Sequence, residues 1–293
     1  MKTTVLAAFL ITLSVFTNVA LADPGGVRFS LIKTSGSTTL DALTYSGGKW
    51  FSLTRMNHVA VLVEHPKGRF LFDSGLGRDI DAQYDKDMPY WMRTSFKYDP
   101  TTPARDQLEQ AGMPLPERII LSHAHWDHGS GVHDFPQAEI WITEAERAYI
   151  QEAPSGPVLH SQFTNPQPNW HEYSLQDKPW RRFDKSLDLF GDGSVVLLNQ
   201  AGHTPGSVAL YLRTLNGKEY LLSGDTVWRA RALESAAPKS LIARWIVDHD
   251  THRTLERVEQ LASFSTANPD VVIVPAHDAE VHDRLGYFPE WVD

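Results

Sequence analysis

Cysteine is absent from the 293-residue chain. Its absence excludes disulfide bonds, a thiol nucleophile, cysteine-ligated zinc and iron–sulfur clusters. Positive charge is also scarce, because 27 Lys and Arg face 36 Asp and Glu, which gives a formal net charge of −9. This balance argues against a nucleic-acid partner, since nucleic acids bind basic surfaces. Any metal site in this protein must therefore be built from histidine and carboxylate side chains.

Long apolar runs are missing beyond the amino terminus. Residues 5–16 form a 12-residue apolar run, preceded by Lys2 and followed by the triplet Ala-Leu-Ala at 20–22. The run is too short to cross a bilayer, and the small–x–small triplet is typical of a cleavage site. We predict that residues 1–22 are a secretory signal peptide and that the mature chain is secreted or periplasmic, without stable membrane insertion. An uncleaved anchor or a plain amino-terminal helix is the alternative.

The composition, 42% hydrophobic and 22% charged, is typical of a folded globular protein. Residues 23–293 suffice for one large domain or two small ones. Apolar runs predict strands at 27–34, 57–64, 69–73, 118–121, 139–142, 194–199, 207–213, 219–223 and 271–274. Asn216-Gly217 predicts a hairpin that joins the strands at 207–213 and 219–223. Helices are predicted at 103–111, from the capping box of Thr143 and Glu146 to about 151, and from Asp250 or Thr251 to about 264. This order predicts two α+β halves packed sheet to sheet, with the helices outside.

Thirteen histidines are present, and four ligand-type residues lie within six positions directly after the strand predicted at 118–121. They are His123, His125, Asp127 and His128. Four such side chains on one short loop are costly to bury without partners. A divalent cation removes that cost, because it binds imidazole nitrogen and carboxylate oxygen.

Three later segments each place one more ligand-type residue at the end of a predicted strand. His203 follows the strand at 194–199, Asp225 follows the strand at 219–223, and His277 follows the strand at 271–274. Each lies beside small or turn-forming residues. Five histidines and two aspartates are enough ligands for two metal ions.

The pattern H-x-H-x-D-H at 123–128, followed by His203, Asp225 and His277, resembles the metallo-β-lactamase superfamily. The resemblance implies a single-domain, four-layer αββα sandwich of the α+β class over residues 23–293. It implies a first metal held by His123, His125 and His203, a second held by Asp127, His128 and His277, and Asp225 bridging both. The donor types favour two Zn²⁺, although iron, manganese or cobalt also suit nitrogen and oxygen ligands.

The resemblance also implies a hydrolytic mechanism. Two dications share a hydroxide, which attacks a carbonyl or phosphoryl centre. Asp127 is expected to be the catalytic residue, since it is placed both to hold a metal and to move a proton to the leaving oxygen.

Within the superfamily, the chain is most similar to the N-acyl homoserine lactonase-like group, with methyl parathion hydrolase-like enzymes nearby. The similarity lies at residues 72–77, 189–194, 201–206 and 276–278. Asp225 stands where true β-lactamases carry Cys or Ser, and His125 stands where flavodiiron oxidoreductases carry Glu. Trp228 departs from the lactonase pattern, which has Tyr three residues after the bridging Asp. Either the substrate differs, or another donor replaces that Tyr.

We therefore predict a hydrolase of small-molecule lactones or esters, and N-acyl homoserine lactones are the first substrate class to expect. Organophosphate or aryl-ester hydrolysis is the alternative, and β-lactam hydrolysis ranks third. A metal-bound binding protein without turnover is the non-enzyme alternative.

Residues outside the seven predicted ligands are also expected to shape the site. Asp73 is expected to accept a hydrogen bond from a ligand histidine. An apolar wall for an acyl or aryl group is expected from Tyr90, Trp91, Met92, Phe96, Phe163 and Trp170. The other reading of these aromatic residues is a separate packing cluster or a homodimer contact. Histidines without ligand spacing, including His58, are expected to be surface or ordinary hydrogen-bonded residues.

Overall fold

Two mixed β-sheets form the centre of the structure, a computed structural model that describes residues 26–164 and 166–293. The predicted signal peptide at residues 1–22 lies outside the described residues. The first sheet runs in the order β1 (Arg28–Leu40), β2 (Leu53–His65), β3 (Gly68–Phe72), β4 (Arg118–Ile120), β5 (Glu139–Thr143) and β6 (Asn169–Tyr173). The first three strands are antiparallel to their neighbours, whereas β3 to β6 run parallel.

The second sheet contains five strands in the order 11-10-9-8-7. They are β7 (Ser186–Asp188), β8 (Val195–Asn199), β9 (Val208–Arg213), β10 (Glu219–Leu222) and β11 (Val271–Val274). Strands β9 and β10 form the predicted hairpin through Asn216-Gly217, and β10 pairs with β11 in parallel. Parallel neighbours need a long connection, and the segment between β10 and β11 contains the 17-residue helix Thr251–Ala267.

Alternating side chains within single strands serve two different cores, because successive residues of a strand face opposite sides of the sheet. On β2, Val61 and Val63 belong to the core between the sheets, whereas Leu62 belongs to the outer core of the first sheet. On β8, Leu197 packs between the sheets and Leu198 packs on the outer face of the second sheet. The strands are therefore apolar on both faces, which requires helices on both outer surfaces.

Helices cover both outer surfaces and complete four layers. They are α1 (Asp41–Thr44), α2 (Ile80–Asp87), α3 (Ala104–Gln110), α4 (Trp126–Gly129), α5 (Glu144–Glu152), α6 (Leu241–Val247), α7 (Thr251–Ala267) and α8 (Ala279–Leu285). Leu108 of α3 and Ile150 of α5 pack on the first sheet, and Leu261 and Phe264 of α7 pack on the second. The predicted αββα sandwich in one α+β domain is thus confirmed.

The amino-terminal caps follow the sequence signals. Thr143 Oγ1 accepts a hydrogen bond from Glu146 N (3.3 Å), and Asp250 accepts one from Arg253 N (2.9 Å), which identifies Asp250 as the cap of α7. Elements missing from the sequence prediction are short. Helix α2 buries only Ile80 and Gln83, and strand β6 buries only Tyr173.

One edge of the sandwich collects the ends of many strands. Strands β3, β4, β8, β10 and β11 all end near it, and each is followed by a turn that carries polar side chains. In the ranges that the structure describes, no helix combines the length and the apolar character that a bilayer crossing requires.

Candidate metal centre

The seven predicted ligands meet at this edge of the sandwich. His123, His125, Asp127 and His128 follow β4 of the first sheet; His203, Asp225 and His277 follow β8, β10 and β11 of the second. All seven are buried, with exposed fractions between 0% and 7%. The centre is therefore assembled from both sheets, and neither sheet contains a complete ligand set.

Among the described residues, three groups of donor atoms are close enough to hold a metal ion. The first contains His123, His125 and His203, the set that the sequence assigned to the first metal. Another contains His123, His128 and Asp225. The third contains Asp127 and His277, together with His58, which the sequence did not assign.

Asp225 lies among the ligands predicted for both ions. Its Oδ2 is 3.6 Å from His203 Nε2, its Oδ1 is 3.4 Å from His128 Nε2, and both oxygens lie 3.1 Å from His277 Nε2. Asp127 Oδ2 is 3.3 Å from His277 Nε2. Two ligand atoms on one tetrahedral zinc ion lie about 3.3 Å apart, so these separations suit shared metal ions.

The hydrogen bonds fix the imidazoles in the form that binds metal. Ring Nδ1 of His123, His128, His203 and His277 lies 2.7–2.9 Å from an oxygen acceptor outside the ligand set. Because Nδ1 donates, the lone pair of each neutral ring is on Nε2. The buried Nε2 atoms of His123, His125, His128 and His203 have no hydrogen-bond partner among the described residues. Buried unpaired acceptors are costly, and a metal ion is the partner that fits this donor set.

Burial sets the protonation of the first group. Burial and neighbouring positive charge hold the pKa of His123 and of His203 well below the usual value, and burial lowers the pKa of His125 to about 4. All three rings are therefore neutral at pH 7, the state in which imidazole binds a metal.

The other half of the centre has an excess of negative charge. Burial lowers the pKa of His128, but the carboxylates of Asp73, Asp127 and Asp225 outweigh burial and raise it. Three buried carboxylates this close together need positive charge to stabilise them. A divalent cation supplies that charge without a proton.

Asp73 has the predicted role. Its Oδ2 accepts hydrogen bonds from His128 Nδ1 (2.8 Å) and Ser122 Oγ (2.7 Å), and its Oδ1 accepts from Ser122 N (2.6 Å). Ser122 Oγ in turn accepts from His123 Nδ1 (2.9 Å). One carboxylate therefore orients two of the predicted ligands.

His58 lies at the centre, where the sequence analysis gave it no role, and it is buried and hydrogen-bonded rather than on the surface. Its Nδ1 lies 3.1 Å from Asp127 Oδ2, and the ring is 5% exposed. The reason is topological: β2 is antiparallel to β3, so its amino-terminal half lies at the edge where β3 and β4 end. No local spacing reveals this, but strand pairing combined with a polar residue in an apolar strand would have indicated it.

A buried ion pair supports His203 from behind. Asp248 Oδ1 accepts from His203 Nδ1 (2.7 Å) and lies 2.9 Å from Lys239 Nζ. Lys239 Nζ also donates to the backbone oxygen of Asp225 (2.6 Å). The side chains of Lys239 and Asp248 are both fully buried. This pair, which local sequence did not indicate, joins the loops that carry His203 and Asp225.

Trp228 lies at the centre but does not offer a free donor. Its indole Nε1 donates to Asp225 Oδ2 (2.9 Å), and its ring packs edge-on against His277. The N–H that would have to replace the usual lactonase hydroxyl is therefore already bonded to a carboxylate.

A cavity of about 260 Å³ opens onto the centre at His125, Asp127, Asp225 and His277. Its apolar wall consists of Leu43, Met56, Phe96, Ile242, Ile246 and Val247, together with the rings of Trp126 and Trp228. Its hydroxyl-bearing wall consists of Ser37, Thr38, Thr39, Thr94 and Ser95. An apolar cavity with a few polar groups beside buried donors is typical of a small-molecule site.

The predicted aromatic wall is correct for Phe96 alone. Tyr90 and Trp91 are exposed and do not line the cavity. Met92 is buried in a neighbouring apolar cluster, and Phe163 and Trp170 pack against each other beneath the first sheet. Helix α6 contributes Ile242, Ile246 and Val247 to the apolar wall instead, and it lies beside α1.

Comparison with known proteins agrees with this geometry. The Metallo-beta-lactamase superfamily matches residues 53–277. A probable metallo-hydrolase of Mycobacterium tuberculosis is 28% identical over 252 residues, which are 79% of this chain and 77% of the relative. The N-acyl homoserine lactonase AttM of Rhizobium radiobacter is 24% identical over 239 residues, which are 78% of this chain and 85% of the relative.

Solved structures show the same fold. An N-acyl homoserine lactone hydrolase, with the product N-hexanoyl-L-homoserine at its catalytic metal centre, superposes with a TM-score of 0.70. The superposition covers 90% of this chain and 98% of that chain at 19% identity.

The fold, the buried donor set and these relatives define a metal-dependent hydrolase. The chain belongs to the Metallo-beta-lactamase superfamily.

Proposed function

We propose that this protein is an exported dinuclear zinc hydrolase whose first substrate class is the N-acyl homoserine lactones. The observation that carries the proposal is the convergence of buried, unpaired histidine Nε2 atoms and two carboxylates at the floor of an apolar cavity. Similarity to lactonases across the chain supports the substrate class.

The first proposed ligand set is one of the donor groups, whereas the second combines residues from the other two groups. His123, His125 and His203 would hold one ion, and Asp127, His128 and His277 the other, with Asp225 shared between them. When bound, the two ions would supply Lewis acidity toward the ester carbonyl and make water a nucleophile at neutral pH. His58 keeps Asp127 in place through the contact between Nδ1 and Oδ2.

Asp127 is the proposed catalytic residue. Its Oδ2 is held by His58, whereas its Oδ1 accepts no hydrogen bond from a side chain of the described residues. In lactone hydrolysis a new C–O bond forms from water, the ring C–O bond breaks, and the ring oxygen needs a proton. Asp127 Oδ1, at the cavity floor, would take the proton from water and deliver it to that oxygen.

The cavity suits an amide-linked acyl chain. The apolar wall would bury the chain, and the threonine and serine hydroxyls opposite it would bond to the amide. Trp228 would line the cavity beside the reacting carbonyl. It would not donate a hydrogen bond to that carbonyl, because its N–H donates to Asp225.

The first test is ring opening of a long-chain N-acyl homoserine lactone by the purified, zinc-loaded protein. We expect fast opening that a chelator abolishes and zinc restores, together with about two metal ions per chain. Asp127→Ala serves as the inactive control and Asp270→Asn, on an exposed turn, as the matched active control. A metal content near one would overturn the dinuclear proposal.

Phosphotriesters are the second candidate substrates, because the engaged N–H of Trp228 removes the donor that a lactone carbonyl would otherwise receive. Hydrolysis of a phosphotriester without lactone opening, with both metals bound, would favour this candidate. Aryl esters and β-lactams belong in the same assay.

Export rests on the sequence pattern at residues 1–22. Amino-terminal sequencing of protein recovered outside the cytoplasm is expected to begin near Asp23. A full-length chain retained in the cell would contradict export and leave the hydrolase proposal standing.

A further inference from the structure

Glu146 is a buried carboxylate that lies outside the predicted ligand set and between two ligand loops. It belongs to the first turn of α5 and is 1% exposed. The capping-box pattern predicts that its side chain returns to the cap residue Thr143. Its carboxylate instead points toward the metal centre and bonds to two other segments of the chain.

Three donors hold this carboxylate. Oε1 accepts from the backbone N–H of Ala124 (2.8 Å), which lies between His123 and His125. Oε2 accepts from Thr204 Oγ1 (2.7 Å) and from the backbone N–H of Gly206 (2.9 Å), both in the loop that follows His203.

The helix and the second loop also approach each other very closely. Thr143 Oγ1 donates to the backbone oxygen of Gly206 (3.0 Å). A Cβ added to Gly206 would lie 2.6 Å from Glu146 Cβ, which no real contact allows. Gly206 is therefore required for the approach itself, and the first turn of α5 is clamped onto the loop.

The position of Glu146 matters because its two partner loops belong to different sheets. The loop of His123 and His125 follows β4 of the first sheet, and the loop of His203 follows β8 of the second. These three histidines form one donor group, so their geometry depends on how the two loops are held relative to each other.

We propose that Glu146 is a positioning residue that locks these two loops together and thereby sets the affinity of the metal ion held by His123, His125 and His203. Without the carboxylate, two backbone N–H groups and one hydroxyl lose their buried partner, and either loop relaxes toward other partners. Ligand displacement weakens metal binding even though no ligand is removed.

Glu146→Gln is the informative variant, since glutamine has the same shape. Its amide NH₂ must face a backbone N–H of Ala124 or Gly206, so one tie between the loops is lost. The proposal rests on the proposed metal site, so the wild-type protein is measured first. Failure of the wild-type protein to bind metal would overturn the proposed function, whereas the Glu146 proposal is judged on the variants.

Metal affinity of the purified, metal-free protein is measured by chelator competition with Zn²⁺. We expect Glu146→Gln to lose about 10- to 100-fold affinity for one of the two ions, the scale found when partners of metal ligands are removed. The visible spectrum of the cobalt-loaded variant is expected to change as well, because it reports ligand geometry. Glu144→Gln, an exposed neighbour on the same turn, is the matched control and should bind both ions like the wild-type protein.

A general loss of stability must be separated from positioning. Leu62→Ala, in the outer core of the first sheet, destabilises the fold without touching the centre. If it loses as much metal affinity as Glu146→Gln, the positioning proposal is wrong. Wild-type affinity and an unchanged cobalt spectrum for Glu146→Gln would also overturn it. Should Glu146→Gln not fold, Thr204→Val removes one of the three donors and is held to the same outcomes.

Discussion

Replacing Asp73 with Asn tests the centre most sharply, because it changes a proton position while it preserves shape. Asp73 Oδ2 accepts from His128 Nδ1 and from Ser122 Oγ. In the variant, Asn Oδ1 can still accept from Ser122 N, but the amide NH₂ faces His128 Nδ1. Two donors then oppose each other, and His128 must move its proton from Nδ1 to Nε2. The lone pair predicted to bind the second metal is thereby lost.

The expected magnitude follows from that loss. Removal of the partner that orients a metal-binding histidine costs about 10- to 100-fold in metal affinity. This corresponds to about 1.4–2.8 kcal/mol of binding free energy. The backbone should not oppose the change, since Asp73 has a φ of +59° and Asn adopts this left-handed conformation readily.

The assay is metal titration of the metal-free protein against a chelator, with metal content and urea unfolding measured in parallel. We expect Asp73→Asn to remain folded and to hold one ion tightly and the second weakly. Asp270→Asn removes the same charge at an exposed turn and should bind both ions as before. Unchanged affinity for both ions in Asp73→Asn would refute the tautomer argument.

Three further predictions concern other parts of the molecule. Asp127→Ala should abolish most hydrolysis and weaken one metal ion, and near-normal turnover by steady-state kinetics would contradict both roles. Trp228→Phe keeps an aromatic side chain of smaller size but removes the hydrogen bond to Asp225 Oδ2, so kcat/KM should fall about tenfold, the scale of a bond to a charged acceptor. An unchanged value would show that the bond does not position Asp225. Burial lowers the pKa of His282 to about 4, so only the unfolded chain binds a proton there between pH 6.5 and 4, and stability is lost as the pH falls. The free energy of unfolding of the metal-free protein is measured with urea at pH 7 and at pH 4.5. Between these pH values the wild-type protein should lose about 2–3 kcal/mol more than His282→Gln. Equal losses would show that His282 is not the group responsible.

Much of the fold was readable because the strands are apolar and end at polar turns. The strands at 69–73, 194–199 and 271–274 were predicted within a residue or two, and Asn216-Gly217 correctly identified a hairpin. Some short elements were not predicted from the sequence, and the reason is physical. Helix α6 has apolar residues at all of its positions except Arg244, and it exposes Leu241 and Trp245, so its sequence has no polar face that would indicate a surface helix. Its position is set by the packing that forms the cavity.

The residues of the candidate site also fall into those that could be predicted from the sequence and those that could not. Residues that follow a strand with ligand spacing, such as His123 and His203, were recognisable in the sequence. His58, Glu146 and Lys239 were not, because each reaches the centre through contacts with residues distant in the chain. Glu146 even carries a local signal of a different kind, the capping box, which predicts a side-chain bond back to Thr143, whereas the carboxylate bonds to Ala124, Thr204 and Gly206.

The sequence by itself determined the donor chemistry, since the candidate ligands of a chain without cysteine are seven histidines and aspartates that follow strands, and these bind metals through nitrogen and oxygen. It also determined the apolar strands and therefore the layered architecture. Only the tertiary structure decided which partners orient those ligands, that the N–H of Trp228 is already bonded, and which side chains line the cavity. The reason is that strand periodicity is local, whereas a centre shared by two sheets depends on how they pack.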